Sequence, residues 1–181
     1  MRAFVGLPVP EAWVDPLMRV QSRLPGGRAV DADDLHITLA FLDDQPPQRL
    51  EALHDLLDAR ALGGVPLRPL AFAPLGQGRP RAVVLDLATD PPLATLREGV
   101  RQDVRRAGID LPRERFRPHV TLLRYGGTAR ADTERLAGTL LRVGAPDLPP
   151  AEAHRLTLWS SLLTPQGPIY EPLAEYPLVP A

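Results

Sequence analysis

Apolar positions along the chain follow two rhythms, alternation with period two and recurrence at helical spacing, and their order predicts a strand, a helix and a second strand, twice over. Phe4 to Leu7 reads as a short buried strand closed by Pro8 and Pro10. Trp13, Leu17, Val20 and Leu24 then mark one face of a helix that stops at Pro25-Gly26-Gly27. Arg28-Ala29-Val30 is read as an edge segment, and Leu35 to Leu42 as the next strand. Leu50, Leu53 and Leu57 give a second helix, and Leu67 to Phe72 a strand that Pro66 and Pro69 confine to a sheet edge. A strong strand follows at Ala82 to Leu87. Leu93, Leu96, Val100 and Val104 then line a helix with Arg97, Arg101 and Arg105 on its solvated side and Gly108 as its stop. The strand from His119 to Tyr125 ends at Gly126-Gly127. A fourth helix is expected from Asp132 to Leu141, a linker from Pro146 to Pro150, and a closing hairpin from Arg155 to Leu163 and Ile169 to Leu178.

The repeat is visible in the spacing. Strand, helix and strand fall at 4–7, 13–24 and 35–42, and again at 82–87, 93–106 and 119–125. In both copies the last strand opens on the same pattern: His36-Ile37-Thr38-Leu39 and His119-Val120-Thr121-Leu122. Side chains at i and i+2 of a strand share a face. Each strand therefore presents an imidazole and a hydroxyl on one side and packs a core with the other. Two lobes each contributing one such strand to a shared cleft would bring two imidazoles and two hydroxyls together, which is acid–base chemistry suited to a phosphate ester.

Composition narrows the alternatives. The chain has 181 residues and a formal charge of −1, so no global field draws it to nucleic acid or a membrane. All 21 basic residues are Arg, so any phosphate contact must use the guanidinium fork. Cysteine is absent, which excludes disulfides and thiolate chemistry. No apolar run approaches a membrane span or a signal peptide, and a cytoplasmic monomer is expected. No carboxylate accompanies the two His-x-Thr motifs, and the sequence has no G-x-S-x-G, P-loop or G-x-G-x-x-G. Neither a metal nor a nucleotide cofactor is expected. His54, on a helix, and His154 have no Thr two residues on and are given no role.

The paired motif and its flanking blocks resemble the two-histidine (2H) phosphoesterase superfamily, in particular the bacterial and archaeal RNA 2′,3′-cyclic phosphodiesterases also called 2′-5′ RNA ligases. The matching blocks are Arg2 to Leu7, Leu35 to Leu42, Pro80 to Leu85, Phe116 to Arg124 and Ser161 to Tyr170. Two departures stand out: Ala29 where the family often has an aromatic, and Asp43 where it often has Gly. The resemblance and the repeat together imply an α+β fold in a single domain over 1–181. Its two pseudo-symmetric lobes would each be an antiparallel sheet flanked by helices, with a central cleft between the sheets and repeat units at about 2–44 and 80–127.

An ordinary imidazole titrates near pH 6.5, about where one of a facing pair can be neutral and the other protonated. Residue chemistry alone does not assign the two roles. The resemblance makes His36 the proton donor to a 3′ leaving oxygen and His119 the acceptor that activates water, leaving a 2′-phosphomonoester. Read backwards, the same site would join ends without ATP. Thr38 and Thr121 would donate to the non-bridging oxygens. Arg124 would add a phosphate contact, although strict alternation places it opposite His119 unless a bulge intervenes. Phe41 would either stack a base at the cleft mouth or sit in the core. Arg113, Arg115 and Arg117 form either a basic rim or a merely solvated loop. The expected partners are RNA with 2′,3′-cyclic phosphate ends or cyclic nucleotides. The competing readings are a phosphodiesterase for small cyclic nucleotides or 2′-5′ oligonucleotides, and an RNA-end-binding module without turnover.

Overall fold

The strands assemble antiparallel around the two motif strands. In the computed structural model, which describes residues 1–126 and 132–180, the elements run β1 (Arg2–Pro8), α1 (Glu11–Arg23), β2 (Arg28–Ala29), a 3₁₀ turn (Ala32–Asp34), β3 (His36–Asp44), α2 (Pro47–Asp58), β4 (Val65–Leu67), β5 (Pro69–Leu75), β6 (Ala82–Leu87), α3 (Pro91–Arg106), β7 (His119–Arg124), α4 (Thr133–Val143), β8 (Ala151–Ala153), β9 (Arg155–Thr164) and β10 (Gly167–Pro177). The main sheet has the order β10-β9-β1-β3-β7-β6-β5, with β2 alongside β7. β5, the strand carrying Pro69, lies at its edge as the prolines require. The three-residue β8 pairs with β4 in a small second sheet that the sequence pattern did not predict. Gly126 follows β7, and Gly127, expected to share that turn, lies outside the described residues.

The two halves of the sheet meet lightly. β1 pairs with β3 from Arg2↔Asp44 to Pro8↔His36, and β6 with β7 from Ala82↔Arg124 to Asp86↔His119. Between β3 and β7 the one paired position is Ile37 opposite Val120. Both are fully buried, as are Ala3, Val5, Leu7, Val83 and Leu85 on the same inner face. Helices cover that face: Trp13 and Leu17 of α1, Leu53 and Leu57 of α2, and Leu93, Val100 and Val104 of α3 join one core. The opposite face around Ile37 and Val120 is left to the imidazoles and hydroxyls.

Two details fix this arrangement. Gly6 pairs with Thr38 where β1 and β3 approach closely, and a Cβ there would overlap the Ile37 carbonyl oxygen. Helix α3 departs from expectation on its polar side. Arg101 is buried rather than solvated, with Nη2 donating to the Pro112 carbonyl at 2.6 Å, and the Arg97 guanidinium lies 4.4 Å from the centre of the Phe116 ring. Glu114 approaches both guanidinia, at 3.6 and 3.7 Å. These arginines serve the interior because the loop before β7 folds back over them. Arg105 alone of the three stays in solvent.

Candidate active site

The motif strands share one local design. His36 to Phe41 and His119 to Arg124 run through the same sequence of half-buried, buried, half-buried, buried, buried and exposed positions. The two adjacent buried positions mark a bulge. Thr38 pairs with Gly6 and Ala40 with Val5, so Leu39 is the extra residue; Thr121 pairs with Val84 and Leu123 with Val83, so Leu122 is. An extra residue re-aims everything after it. Arg124, opposite Ala82, thereby returns to the face of His119 and Thr121, and Phe41, opposite Phe4, to the face of His36 and Thr38. The expected obstacle to Arg124 is removed by a bulge at Leu122. Phe41 is no core residue: it is 41% exposed, with the Arg2 guanidinium 4.6 Å from its ring centre.

Each imidazole is fixed by the backbone two residues earlier. Nδ1 of His36 donates to the Asp34 carbonyl and Nδ1 of His119 to the Arg117 carbonyl, both at 2.7 Å. Carbonyl oxygens only accept, which fixes the tautomer and leaves each Nε2 for chemistry. Nε2 of His36 is 3.1 Å from the Thr38 hydroxyl, which donates to it when the ring is neutral. Thr121 is half-buried beside it in the register. Continuing the antiparallel register from Ile37↔Val120 sets His36 alongside Thr121 and Thr38 alongside His119.

The two histidines differ in surroundings. His36 lies in an aromatic cage, its ring centre 4.9 Å from Phe4 and 5.4 Å from both Trp159 and Tyr170. Burial pushes its pKa down to about 4, the nearby charges of Arg124 and His119 add to the depression, and the Asp34 carbonyl opposes it. His119 instead sits opposite Asp86, whose carboxylate is engaged by Arg117 through two hydrogen bonds of 2.9 Å. Arg117 therefore does not contribute a free charge to a basic rim, whereas Arg113 and Arg115 are exposed.

Several members of the site carried no signal of their own in the sequence. Trp159 and Tyr170 reach His36 from the closing hairpin, through the pairings Phe4↔Trp159 and Ser161↔Tyr170. Alternation within that hairpin puts them on one face, but only the neighbour relation of β9 and β1 says which. Gln21 of α1 is buried, and its Nε2 donates to the carbonyls of Val30 and Leu122, both at 2.7 Å. It thus holds the bulge that aims Arg124. His54 lies elsewhere, accepting from the Tyr176 hydroxyl at 2.9 Å; burial first, then Asp58 and Asp55, pushes that hydroxyl up to about 12, which keeps it a donor. Among the described residues no three His, Asp or Glu side chains are grouped as a metal ion would require. Nor is any helix there long and apolar enough to cross a membrane.

Comparison with known proteins places this geometry. Residues 8–164 match the family model described as the 2′-5′ RNA ligase superfamily. The RNA 2′,3′-cyclic phosphodiesterase of Archaeoglobus fulgidus is 26% identical over 182 residues, covering 96% of this chain and 98% of that protein. Among solved structures, E. coli LigT complexed with 3′-AMP superposes with a TM-score of 0.71 at 25% identity, over 98% of this chain and 96% of that one. The Thermus thermophilus protein TT0787 gives 0.71 at 27%, over 98% of each chain.

Proposed function

The chain belongs to the 2′-5′ RNA ligase superfamily, and from that premise we propose that it is an RNA 2′,3′-cyclic phosphodiesterase working by two-histidine acid–base catalysis. The observation that carries the reading is the doubled strand: two imidazoles, each tied through Nδ1 to a backbone carbonyl, on strands joined at Ile37 and Val120. RNA ends bearing a 2′,3′-cyclic phosphate are the substrate, and residues 2–44 and 80–127 are the repeat units that supply the two strands.

In this reading the cyclic phosphate lies between the two Nε2 atoms. Neutral His119 takes a proton from water as its oxygen bonds to phosphorus. The bond from phosphorus to O3′ breaks, and protonated His36 gives its proton to that oxygen, leaving a 2′-phosphomonoester. Thr38 and Thr121 donate to the non-bridging oxygens as negative charge gathers there. The depressed pKa of His36 has a use in this scheme. Empty, the imidazole is neutral at pH 7; a bound phosphate anion offsets the positive neighbours and favours the proton it must deliver. The acid is thus charged by its substrate. The same attack made by an RNA 5′-hydroxyl in place of water, again with the bond from phosphorus to O3′ breaking, forms a 2′-5′ linkage without ATP and is secondary.

Phosphorus NMR of the product from a cyclic-phosphate-ended oligoribonucleotide tests the proposal. A 2′-phosphomonoester is expected, and undiminished turnover by His119→Ala would sink the mechanism.

A further inference from the structure

The carbonyl that fixes Nδ1 of His119 belongs to Arg117, in a stretch with little structure of its own. Residues 107–118 join α3 to β7 without helix or strand. Among the described residues, the backbone from Asp110 to Arg117 makes no hydrogen bond to other backbone. The matching carbonyl in the first repeat is held locally. Asp34 closes a 3₁₀ turn through its N–H to the Asp31 carbonyl at 3.0 Å, and the carbonyl of the next residue, Leu35, accepts from Val9 N–H at 3.1 Å. The second segment needs support from elsewhere.

Helix α3 supplies it. Arg101 Nη2 donates to the Pro112 carbonyl at 2.6 Å, Glu114 lies 3.6 Å from Arg97 and 3.7 Å from Arg101, and the Arg97 guanidinium packs on the Phe116 ring. The segment is thus tied at three alternate residues directly before Arg117. These ties are costly. Burial strips water from a guanidinium, and here two of them share one half-exposed carboxylate. Arg101 Nη1 and Arg97 Nε are buried with no hydrogen-bond partner among the described residues. An apolar side chain would fill either position at less penalty. The first repeat carries the same device in uncharged form. Gln21 of α1 donates to the Val30 carbonyl six residues before His36, and Arg101 of α3 to the Pro112 carbonyl seven residues before His119.

We propose that Arg97 and Arg101 are positioning residues for His119, setting the path of residues 112–117 so that the Arg117 carbonyl meets Nδ1 and leaves Nε2 for the attacking water. Helix α3 lies on the covered face of the sheet, so neither arginine acts on the substrate directly. The proposal rests on the two-histidine reading above, in which His119 is the base.

Its test is Arg101→Met, which removes one of two cations sharing a carboxylate and should melt close to wild type. With a 2′,3′-cyclic-phosphate-ended oligoribonucleotide, kcat should fall about tenfold or more and KM stay within about twofold, as for a misaimed base. Arg101→Lys, which keeps a donor for the Pro112 carbonyl, should recover part of the loss. Nitrogen-15 NMR of the His119 ring in its neutral form reads the position without turnover. Wild type should show one tautomer, protonated at Nδ1, and Arg101→Met a mixture of both. A wild-type ring signature in Arg101→Met overturns the proposal whatever the rate, and so does a loss confined to KM. Should Arg101→Met fail to fold, Phe116→Leu frees the same segment from Arg97 and carries the same two expectations. If wild type turns over no cyclic substrate but the His119 ring responds to Arg101, the enzymatic reading fails and the positioning stands.

Discussion

Phe41 and Arg124 occupy the same place in two different strands. Each lies five residues beyond its histidine, and each is turned onto the cleft face by one extra buried leucine, Leu39 or Leu122. The repeat has thereby produced a cleft with unlike ends from like parts. Past His36 it is cationic, with Arg124 and Arg28; past His119 it is aromatic, with Phe41 under Arg2. A symmetric pair of strands would bind its substrate in either direction. These two substitutions give the cleft a polarity.

That polarity reaches the titration of His36. In an NMR pH titration of the ligand-free protein, the His36 ring should inflect near pH 4, well below an ordinary imidazole, because of its burial and the charges of Arg124 and His119. Addition of 2′-AMP should move the inflection upward. The folded pKa lies below the unfolded value of about 6.5, so as pH falls the unfolded chain binds this proton first. The stability contribution is therefore complete above pH 6.5 and is lost as pH falls from there to about 4, by up to roughly 3 kcal/mol. Tyr170→Leu, which opens the cage, should bring the inflection back towards 6.5, and an inflection already there in wild type would refute the account.

Removal of either imidazole should cost most of the turnover with little effect on folding. His36→Ala and His119→Ala are each expected to lower kcat by about 10² to 10⁴, and the double variant by scarcely more than the worse single one, since the two act as a unit. Thr121→Val should cost about 10²-fold in kcat, the scale of one lost oxyanion donor. Steady-state rates measured with and without chelator should agree, because the mechanism proposed uses no metal.

The bulge at Leu122 depends on Gln21. Gln21→Leu would leave the Leu122 carbonyl with Val30 N–H alone and the Val30 carbonyl without its side-chain donor. Urea unfolding should show a loss of about 1–3 kcal/mol. Phosphate-bearing ligands should also bind less tightly, because Arg124 loses its aim. Wild-type affinity in a destabilised Gln21→Leu protein would separate the bulge from the function.

Asp86 should matter through the backbone. It grips Arg117 by two hydrogen bonds, and the Arg117 carbonyl holds Nδ1 of His119. Asp86→Asn should therefore lower kcat by about tenfold with KM nearly unchanged, as for a group that aims a base without touching substrate. An equal loss in KM alone would place Asp86 in binding instead.

Much of this was legible in the chain because its causes are local. Helical spacing at Trp13 to Leu24 and Leu93 to Val104 predicts the helices that form, and Gly108, with φ of 81°, stops α3 as expected. The doubled His-x-Thr pattern predicts two like strands, since alternation is a property of one strand alone. The errors share a cause as well. Arg97 and Arg101 read as solvated because helical spacing does not show that the loop through Glu114 and Phe116 returns to cover them. Arg124 could be placed on the motif face only on the condition of a bulge, and Phe41 was left between cleft mouth and core, because strict alternation holds only until a bulge intervenes and the bulge has no local signal.

The sequence by itself determined the parts: two strand-helix-strand units, a His and a Thr sharing one face of each motif strand, and arginine in place of every lysine. Tertiary structure decided how they work together. The pairing of β7 with β3 at Ile37 and Val120, and with β2 at Arg28 and Ala29, brings the units side by side. Only the position of β9 beside β1 encloses His36 in Trp159 and Tyr170 and so shifts its titration. Only the bulges, one of them held by Gln21, turn Phe41 and Arg124 into the cleft. Residue type and period are encoded over a few neighbours, whereas burial, register shifts and electrostatic environment arise from residues far apart in the chain.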